Sequence, residues 1–190
     1  MRGRLRSLLA ISSLLSLLMA WQGSARAQAF ERAPVLTLAI GLLAPSGSMS
    51  DSYDPGILGR VGFRGTITQG TAFGLEFGIY APNNKSGVAT LYQYPLRALL
   101  YFPLAAEASS TPYVALGPGV TFSKVGNSGP PGSSTERDPY FSYALKAGWA
   151  FRPEHMSTLF EIGARYEQQF IGNADDLQTF DLEASVGRTF

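Results

Sequence analysis

The sequence predicts an all-β fold, an eight-stranded antiparallel up-and-down β-barrel. Three observations predict it. Beyond residue 27, apolar and polar side chains alternate with a period of two, which is typical of strands with two different faces. Segments of about ten residues carry this alternation, and turn-rich polar stretches separate them. No helical periodicity of useful length interrupts the series.

The predicted strands follow one another along the chain. In the third, Phe73, Leu75 and Phe77 share one face, and Glu76 lies on the other. The last, "TFDLEASVGRTF", shows the same alternation, with apolar residues on one face and carboxylates on the other. The eight predicted segments are 35–43, 56–66, 72–81, 90–103, 112–122, 139–151, 157–169 and 179–190.

The first 27 residues are predicted to be a targeting segment rather than part of the folded domain. Three arginines open the chain, the apolar run "LLAISSLLSLLMA" follows, and "ARA" precedes Gln28. A cationic start, a short apolar run and small residues before the cut indicate a cleavable secretory signal peptide over 1–27. An uncleaved anchor helix is the alternative. Residues 28–190 then form one barrel domain.

Composition excludes several classes of function. The chain has 15 Lys and Arg and 14 Asp and Glu, and four of the basic residues lie within 1–27, so the remainder carries 11 against 14 and a net charge of −3. This balance gives no indication of nucleic-acid binding. Cysteine is absent, which excludes a disulfide scaffold, a thiolate metal site and a cysteine nucleophile.

The position of the aromatic residues favours a transmembrane barrel. A secreted soluble barrel or sandwich would also alternate, with its apolar face buried in a core. Here the aromatic residues fall into two bands separated by aliphatic residues, as two membrane interfaces favour. One predicted band holds Tyr92, Tyr94, Phe122, Phe141, Tyr143, Tyr166 and Phe180, and the other holds Phe73, Phe102, Trp149, Phe151, Phe160 and Phe190.

The connections between the predicted strands alternate in length. Those after the second, fourth and sixth strands are mostly short, whereas those after the first, third, fifth and seventh are longer and rich in Gly, Ser, Asn, Asp and Pro. Short periplasmic turns and long external loops are the rule in outer-membrane barrels. Both ends of the barrel domain are therefore expected on the periplasmic side.

The segments "PYVALGPGVTF", "LFEIGARYE" and "FDLEASVGRTF" carry a family resemblance. The chain resembles the small eight-stranded outer-membrane barrels of the OmpX, OmpW and OmpA-barrel kind. The resemblance implies export to the outer membrane of a Gram-negative cell, with Phe190 as the assembly signal. Arg188 departs from this pattern, because that position is usually apolar. Pro95 and Pro118 fall within predicted strands, and the glycines beside Pro118 predict a β-bulge there.

The resemblance also implies partners. It predicts contact with outer-membrane lipid and lipopolysaccharide, and with periplasmic chaperones and the barrel-assembly machinery during biogenesis, for a monomer that does not bind nucleic acid. No cofactor is predicted.

The polar faces of the predicted strands carry five cationic and five anionic side chains. An eight-stranded barrel has an interior just wide enough to be filled by side chains. Balanced charges there predict a paired internal network, and a narrow polar pathway is the alternative. The predicted luminal charge network consists of Arg60, Arg64, Glu76, Arg97, Lys146, Glu161, Arg165, Glu167, Asp181 and Glu183.

Catalytic and metal-binding patterns are weak. His155, the single histidine, lies two residues before Ser157, a spacing that resembles lipid A deacylases, but it falls at a predicted periplasmic turn and the residues that follow differ. The pairs Asp51 and Asp54, and Asp175 and Asp176, are acidic loop residues of the kind that keep loops soluble. The sequence therefore predicts no catalytic residue and no metal site.

Two classes of function remain. In the first, the protein is a non-enzymatic envelope component that presents extracellular loops for surface interaction or supports envelope integrity. In the second, it is a narrow channel or transporter for small, hydrophobic molecules, as the OmpW resemblance would imply. A lipid A-modifying enzyme is a remote alternative.

Overall fold

Eight antiparallel strands close into a barrel in chain order. The computed structural model describes residues 33–47, 49–68, 70–85, 89–104, 110–127, 134–153, 156–170 and 177–190. The predicted signal peptide and His155 lie outside the described residues. The strands are β1 (Val35–Ser46), β2 (Tyr53–Thr68), β3 (Thr71–Asn84), β4 (Ala89–Pro103), β5 (Ser110–Asn127), β6 (Ser134–Phe151), β7 (Thr158–Gln169) and β8 (Leu177–Thr189), with a single helical turn, α1 (Met49–Ser52), between β1 and β2.

Side-chain alternation along each strand divides an inner from an outer face. In β8, Leu182, Ala184 and Val186 are exposed, whereas Asp181 and Glu183 are buried. This is the reverse of a soluble sheet, because the apolar face is on the outside and the charged face is on the inside. The predicted all-β, eight-stranded antiparallel barrel is confirmed.

The register around the barrel fixes its width. Pairing partners followed from Val35 through all eight strands lead back to Pro45, so one circuit advances ten residues along β1. Strands that advance in this way tilt strongly from the barrel axis, and eight of them enclose an interior that side chains fill.

The observed strands are longer than the predicted ones at one end. We call this the distal end, and we call the other end, where Val35 pairs with Thr189, the proximal end. The distal extension is largest in the β5–β6 hairpin, where Lys124 pairs with Glu136 and Gly126 with Ser134. Both faces of this extension are polar in sequence. The alternation that marks a strand inside the apolar layer therefore disappears there.

The predicted bulge beside Pro118 is wrong. The β4–β5 pairs continue in one register on both sides of it, with Arg97 opposite Gly119 and Leu100 opposite Leu116. Proline removes one ladder donor, and the strands keep their alignment without an inserted residue. The irregularity of β5 lies between Thr121 and Ser123 instead.

The proximal half of the interior contains an apolar cluster that is closed by two tyrosine rings. Tyr101 and Tyr113 lie with their ring centroids 5.7 Å apart, and both are buried. The cluster consists of Val35, Ala72, Leu99, Tyr101, Tyr113, Ala115, Ala144, Ala150 and Leu159. A smaller cluster of Leu43, Leu58 and Tyr80 lies nearer the distal end.

No helix in the described ranges is long and apolar enough to cross a membrane.

Candidate functional site: the charged interior

All ten ionisable residues of the predicted network lie in the interior of the barrel. Each is at most 6% exposed, and each lies within ion-pair distance of an opposite charge. The strands position them by alternation: Arg60 and Arg64 project inward from β2, and Glu161, Arg165 and Glu167 project inward from β7. The structure sorts them into three groups along the barrel axis.

The central group is built around two carboxylates. Glu76 forms an ion pair with Arg165 and lies 3.6 Å from Arg60 Nε and 3.9 Å from Lys146 Nζ. Glu183 forms an ion pair with Arg60 and lies 2.5 Å from Lys146 Nζ. Three cations therefore share these two anions.

A third carboxylate and two phenols complete the central group. Asp181 accepts a hydrogen bond from Arg60 at 3.3 Å, and the same guanidinium group donates to the Tyr80 hydroxyl at 2.6 Å. Tyr101 donates its hydroxyl hydrogen to Glu76 at 2.5 Å. The group holds three positive and three negative charges, so it is electrically balanced.

The proximal group is a separate ion pair. Arg64 Nη1 lies 2.7 Å from Glu161 Oε1, and the hydroxyl of Ser185 donates to the other carboxylate oxygen at 3.2 Å. The Arg64 guanidinium group also lies over the Tyr101 ring, 4.9 Å from its centroid. A cation held over an aromatic face gains additional stabilisation when it is desolvated.

The distal group combines an ion pair with amides. Arg97 and Glu167 pair directly, and both side chains are fully buried. Gln169 donates to Glu167 at 3.3 Å and accepts from Gln93 at 3.0 Å. Gln93 Nε2 also lies 3.1 Å from the Tyr140 hydroxyl, which extends the chain of hydrogen bonds across the interior.

Several polar atoms of this distal region have no hydrogen-bond partner within the described residues. They are Gln93 Oε1 and the hydroxyls of Thr121, Ser123, Ser142 and Thr179. Buried polar groups are ordinarily paired with protein or with ordered water, so this part of the interior is suited to hydration.

Sequence reasoning based on charge alone missed the neutral members of the network. Tyr80 and Tyr101 contact the central cations and carboxylates, and Gln93 and Gln169 link the distal ones. All four occupy inward positions in the same alternation that identified the charged residues. The period-two pattern was therefore a sufficient signal for them.

The acidic loop residues and His155, which the sequence analysis considered as metal ligands or as a catalytic group, receive no support from the described residues. Asp54 lies 3.9 Å from Lys85 on the exposed surface, in an ordinary surface ion pair. Within the described ranges, no group of three or more His, Asp or Glu side chains is arranged to hold a metal ion. His155, Asp175 and Asp176 lie outside those ranges.

Comparison with known proteins decides the family. The family model described as "Outer membrane protein beta-barrel domain" matches residues 12–190. The chain belongs to this family. It is accordingly a transmembrane β-barrel of the Gram-negative outer membrane. A search of the curated proteins finds no match.

Solved structures of outer-membrane barrels share the fold. Neisserial surface protein A (NspA) superposes with a TM-score of 0.69 and 16% identity, covering 84% of this chain and 98% of that one. Ail, the attachment invasion locus protein of Yersinia pestis, gives 0.54 and 18%, covering 84% and 100%. OprG from Pseudomonas aeruginosa gives 0.57 and 11%, covering 88% and 99%.

For a barrel of this family, the exposed outer face contacts lipid. Two predicted aromatic bands lie on it. At the distal level, Tyr143 and Tyr166 are 6.4 Å apart between ring centroids, and Tyr166 lies 5.1 Å from Phe180. At the proximal level, Phe73, Trp149, Phe151, Phe160 and Phe190 are all exposed. Phe102 was expected in this second band, but it is only 3% exposed.

Phe190, the predicted assembly signal, and Arg188, which departs from the expected pattern, both lie at the proximal edge. The backbone nitrogen of Phe190 donates to the carbonyl oxygen of Pro34 at 3.2 Å, while its side chain is 71% exposed. Arg188, opposite Leu36 and Thr158, faces outward and is exposed. A long cationic side chain at this level reaches the lipid headgroups by extending along the apolar surface.

Proposed function

We propose that this protein is a non-enzymatic outer-membrane barrel that presents its extracellular loops for surface interaction and supports envelope integrity. The filled interior is the observation that carries the proposal. Ion pairs connect strands across the lumen at three levels, and the apolar cluster lies beneath the central one. A barrel that is braced in this way is a rigid support, and its distal surface is the part that is free to bind.

The distal surface is held by the barrel wall. Met49 of α1 is buried, and Ser50 donates its hydroxyl hydrogen to the carbonyl oxygen of Gly47 at 2.7 Å. Lys85 Nζ donates to the carbonyl oxygen of Ser50 at 2.6 Å, which fastens the first loop to the end of β3. A loop fixed in this way loses little conformational freedom when it binds a partner.

The charge of the loops limits the kind of partner. The four segments expected on the cell surface are 44–54, 82–89, 123–138 and 170–178, and they hold six acidic and three basic residues. Ail, a structural neighbour, has been solved in complex with the heparin analogue sucrose octasulfate. Acidic loops repel such a polyanion, so a neutral or cationic partner suits this protein better.

Location and surface presentation are tested together. Outer-membrane fractions are run on a gel with and without boiling, and the folded barrel is expected to migrate faster unboiled. Whole cells are then treated with a protease, and cleavage within the predicted external segment 123–138 is expected without lysis. A protein that shows no mobility shift, or that is cut only after the periplasm is opened, would contradict the proposal.

The non-enzymatic role has its own test. Lipid A from cells that overproduce the protein is expected to keep the mass of lipid A from control cells. A new lipid A species that disappears in the His155→Ala variant would overturn the proposal in favour of lipid A modification.

A narrow channel or transporter is the second candidate. The unpartnered hydroxyls and amide oxygen of the distal interior favour it, because they form a polar region that water can enter. Planar-bilayer recordings separate the two functions. We expect no reproducible conductance; steps that vanish when bulky side chains are placed beside Arg97 and Glu161 would instead establish the channel.

A further inference from the structure

A groove of about 770 Å³ crosses the outer face of the barrel from β1 over β8, β7 and β6 to β5. Two parallel rows of outward residues border it, and each row runs perpendicular to the strands. The first row is Ile40, Ala184, Ile162, Trp149 and Pro112, and the second is Leu42, Leu182, Ala164, Ala147 and Val114. Leu104 closes its proximal end.

Small side chains form the floor of this groove. Ala147 and Ala164 are directly opposite each other on β6 and β7, and Ala184 lies between two isoleucines in the neighbouring row. The residues around them are large and exposed, with Ile162 57% and Leu182 64% accessible. A depression therefore opens where an otherwise bulky surface changes to alanine.

Glycines on the inner face lie behind the same depression. Gly41 and Gly148 belong to the register row between the two outer rows, together with Gly163. A Cβ on Gly41 would collide with the carbonyl oxygen of Leu182, and a Cβ on Gly148 would lie 2.8 Å from the Tyr113 ring. Glycine is needed at both positions because the wall packs inward here without room for a side chain.

The dimensions and direction of the groove fit one ligand. The groove crosses five strands, β1, β8, β7, β6 and β5. The four spacings between them, each of about 4.8 Å, give a length of about 19 Å along the wall. One leaflet of a hydrocarbon core of about 30 Å is about 15 Å deep, so an acyl chain spans most of that length. Because the strands tilt, the groove descends from the middle of β1 to Pro112 and Leu104 near the proximal end, which the loop lengths assign to the periplasm.

We propose that this groove is a specific site for one acyl chain of a phospholipid from the periplasmic leaflet. The groove is continuous with the lipid-facing wall of an outer-membrane barrel, so the lipid that surrounds the protein in the membrane is available as its ligand. The floor of the groove is made of alanines between larger side chains. A chain that enters it contacts apolar atoms on several sides and is held longer than a chain on the convex wall.

Native mass spectrometry of the barrel extracted from membranes in detergent tests the site. One phospholipid is expected to remain bound at a collision energy that removes detergent. Ala164→Phe fills the floor and is expected to lower the lipid-bound fraction at least tenfold. Ala98→Phe, at an outward position of β4 beyond the groove, is the matched control and is expected to retain the lipid. Heat-dependent gel mobility verifies that both variants are folded.

Fluorescence locates the bound chain. Trp149 borders the groove, and the other tryptophan of the sequence, Trp21, falls within the predicted signal peptide, so Trp149 is the one tryptophan of residues 28–190. Phosphatidylethanolamine with brominated acyl chains is expected to quench Trp149 at least twofold, with saturation at one lipid per barrel, and not in the Ala164→Phe variant. Equal lipid retention in both alanine variants, a lipid A mass in place of phospholipid, or a lipid-free dimer that Ala164→Phe dissociates would overturn the proposal.

Discussion

The ammonium group of Lys146 lies 2.5 Å from Glu183 and 3.9 Å from Glu76, so it joins a carboxylate on β8 to one on β3. These strands are not neighbours in the barrel. The same is true of Arg97 on β4 and Glu167 on β7. These two ion pairs therefore connect distant parts of the wall, whereas backbone hydrogen bonds connect only adjacent strands.

Glu76→Gln removes the carboxylate that Arg60, Lys146 and Arg165 share. Three buried cations are then left with two buried anions. Breaking a buried ion pair on one side costs about 3–5 kcal/mol. We expect the free energy of unfolding, measured by urea titration of the barrel in lipid vesicles, to fall by that amount.

Asp54→Asn is the matched control for this loss of a carboxylate. Asp54 is exposed and lies 3.9 Å from Lys85, and exposed ion pairs of this kind contribute at most about 1 kcal/mol. A similar loss of stability in both variants would contradict the internal network, since it would show that burial adds nothing to the charge effect.

The proximal pair allows a double-mutant cycle. Arg64 and Glu161 pair at 2.7 Å beside the apolar cluster, at the proximal side of the central group. Arg64→Met and Glu161→Leu each remove one partner of this buried ion pair, and we expect each to lower stability by about 3–5 kcal/mol. The double variant is expected to regain most of this loss, because an apolar pair of similar volume replaces two desolvated charges.

Urea titrations of the four proteins supply the coupling free energy. Losses that simply add in the double variant would show that the two side chains act independently, against the observed geometry.

The period-two pattern identified most of this architecture and the ten charged residues, because a lipid-facing strand must separate apolar from polar side chains at every step. Two features depended on information that alternation does not carry. The distal extensions of β5 and β6 are polar on both faces, and the groove depends on which residues become neighbours through the register. Ala147 and Ala164 are 17 positions apart in sequence and face each other only because β6 and β7 pair.

Two glycine substitutions test the close approach of β4 and β5. A Cβ on Gly117 would collide with the carbonyl oxygen of Ala98, whereas nothing lies within 4 Å of a Cβ on Gly59. Gly117→Ala is expected to destabilise the barrel by about 1–3 kcal/mol, since the strands must separate. Gly59→Ala is expected to leave stability unchanged or to raise it by about 0.5–1 kcal/mol, because alanine is less costly than glycine in a strand.

Urea unfolding in vesicles measures both glycine variants under the same conditions. Equal tolerance of the two alanines would show that the β4–β5 contact is looser than the structure describes.

Phe190→Ala separates assembly from stability. The Phe190 side chain is 71% exposed, and the hydrogen bond to Pro34 uses its backbone nitrogen, so alanine removes little buried area and keeps that bond. If Phe190 is the assembly signal, the variant is expected to fold at the normal rate in detergent but several-fold more slowly in vesicles that contain the barrel-assembly machinery. Gel mobility without boiling follows both reactions over time.

Val186→Ala, a truncation on the lipid-facing side of the same strand, is the control and is expected to fold normally with the machinery. Equal slowing of Phe190→Ala in detergent and in the machinery-containing vesicles would assign Phe190 to the stability of the barrel, because recognition by the machinery cannot affect folding in its absence.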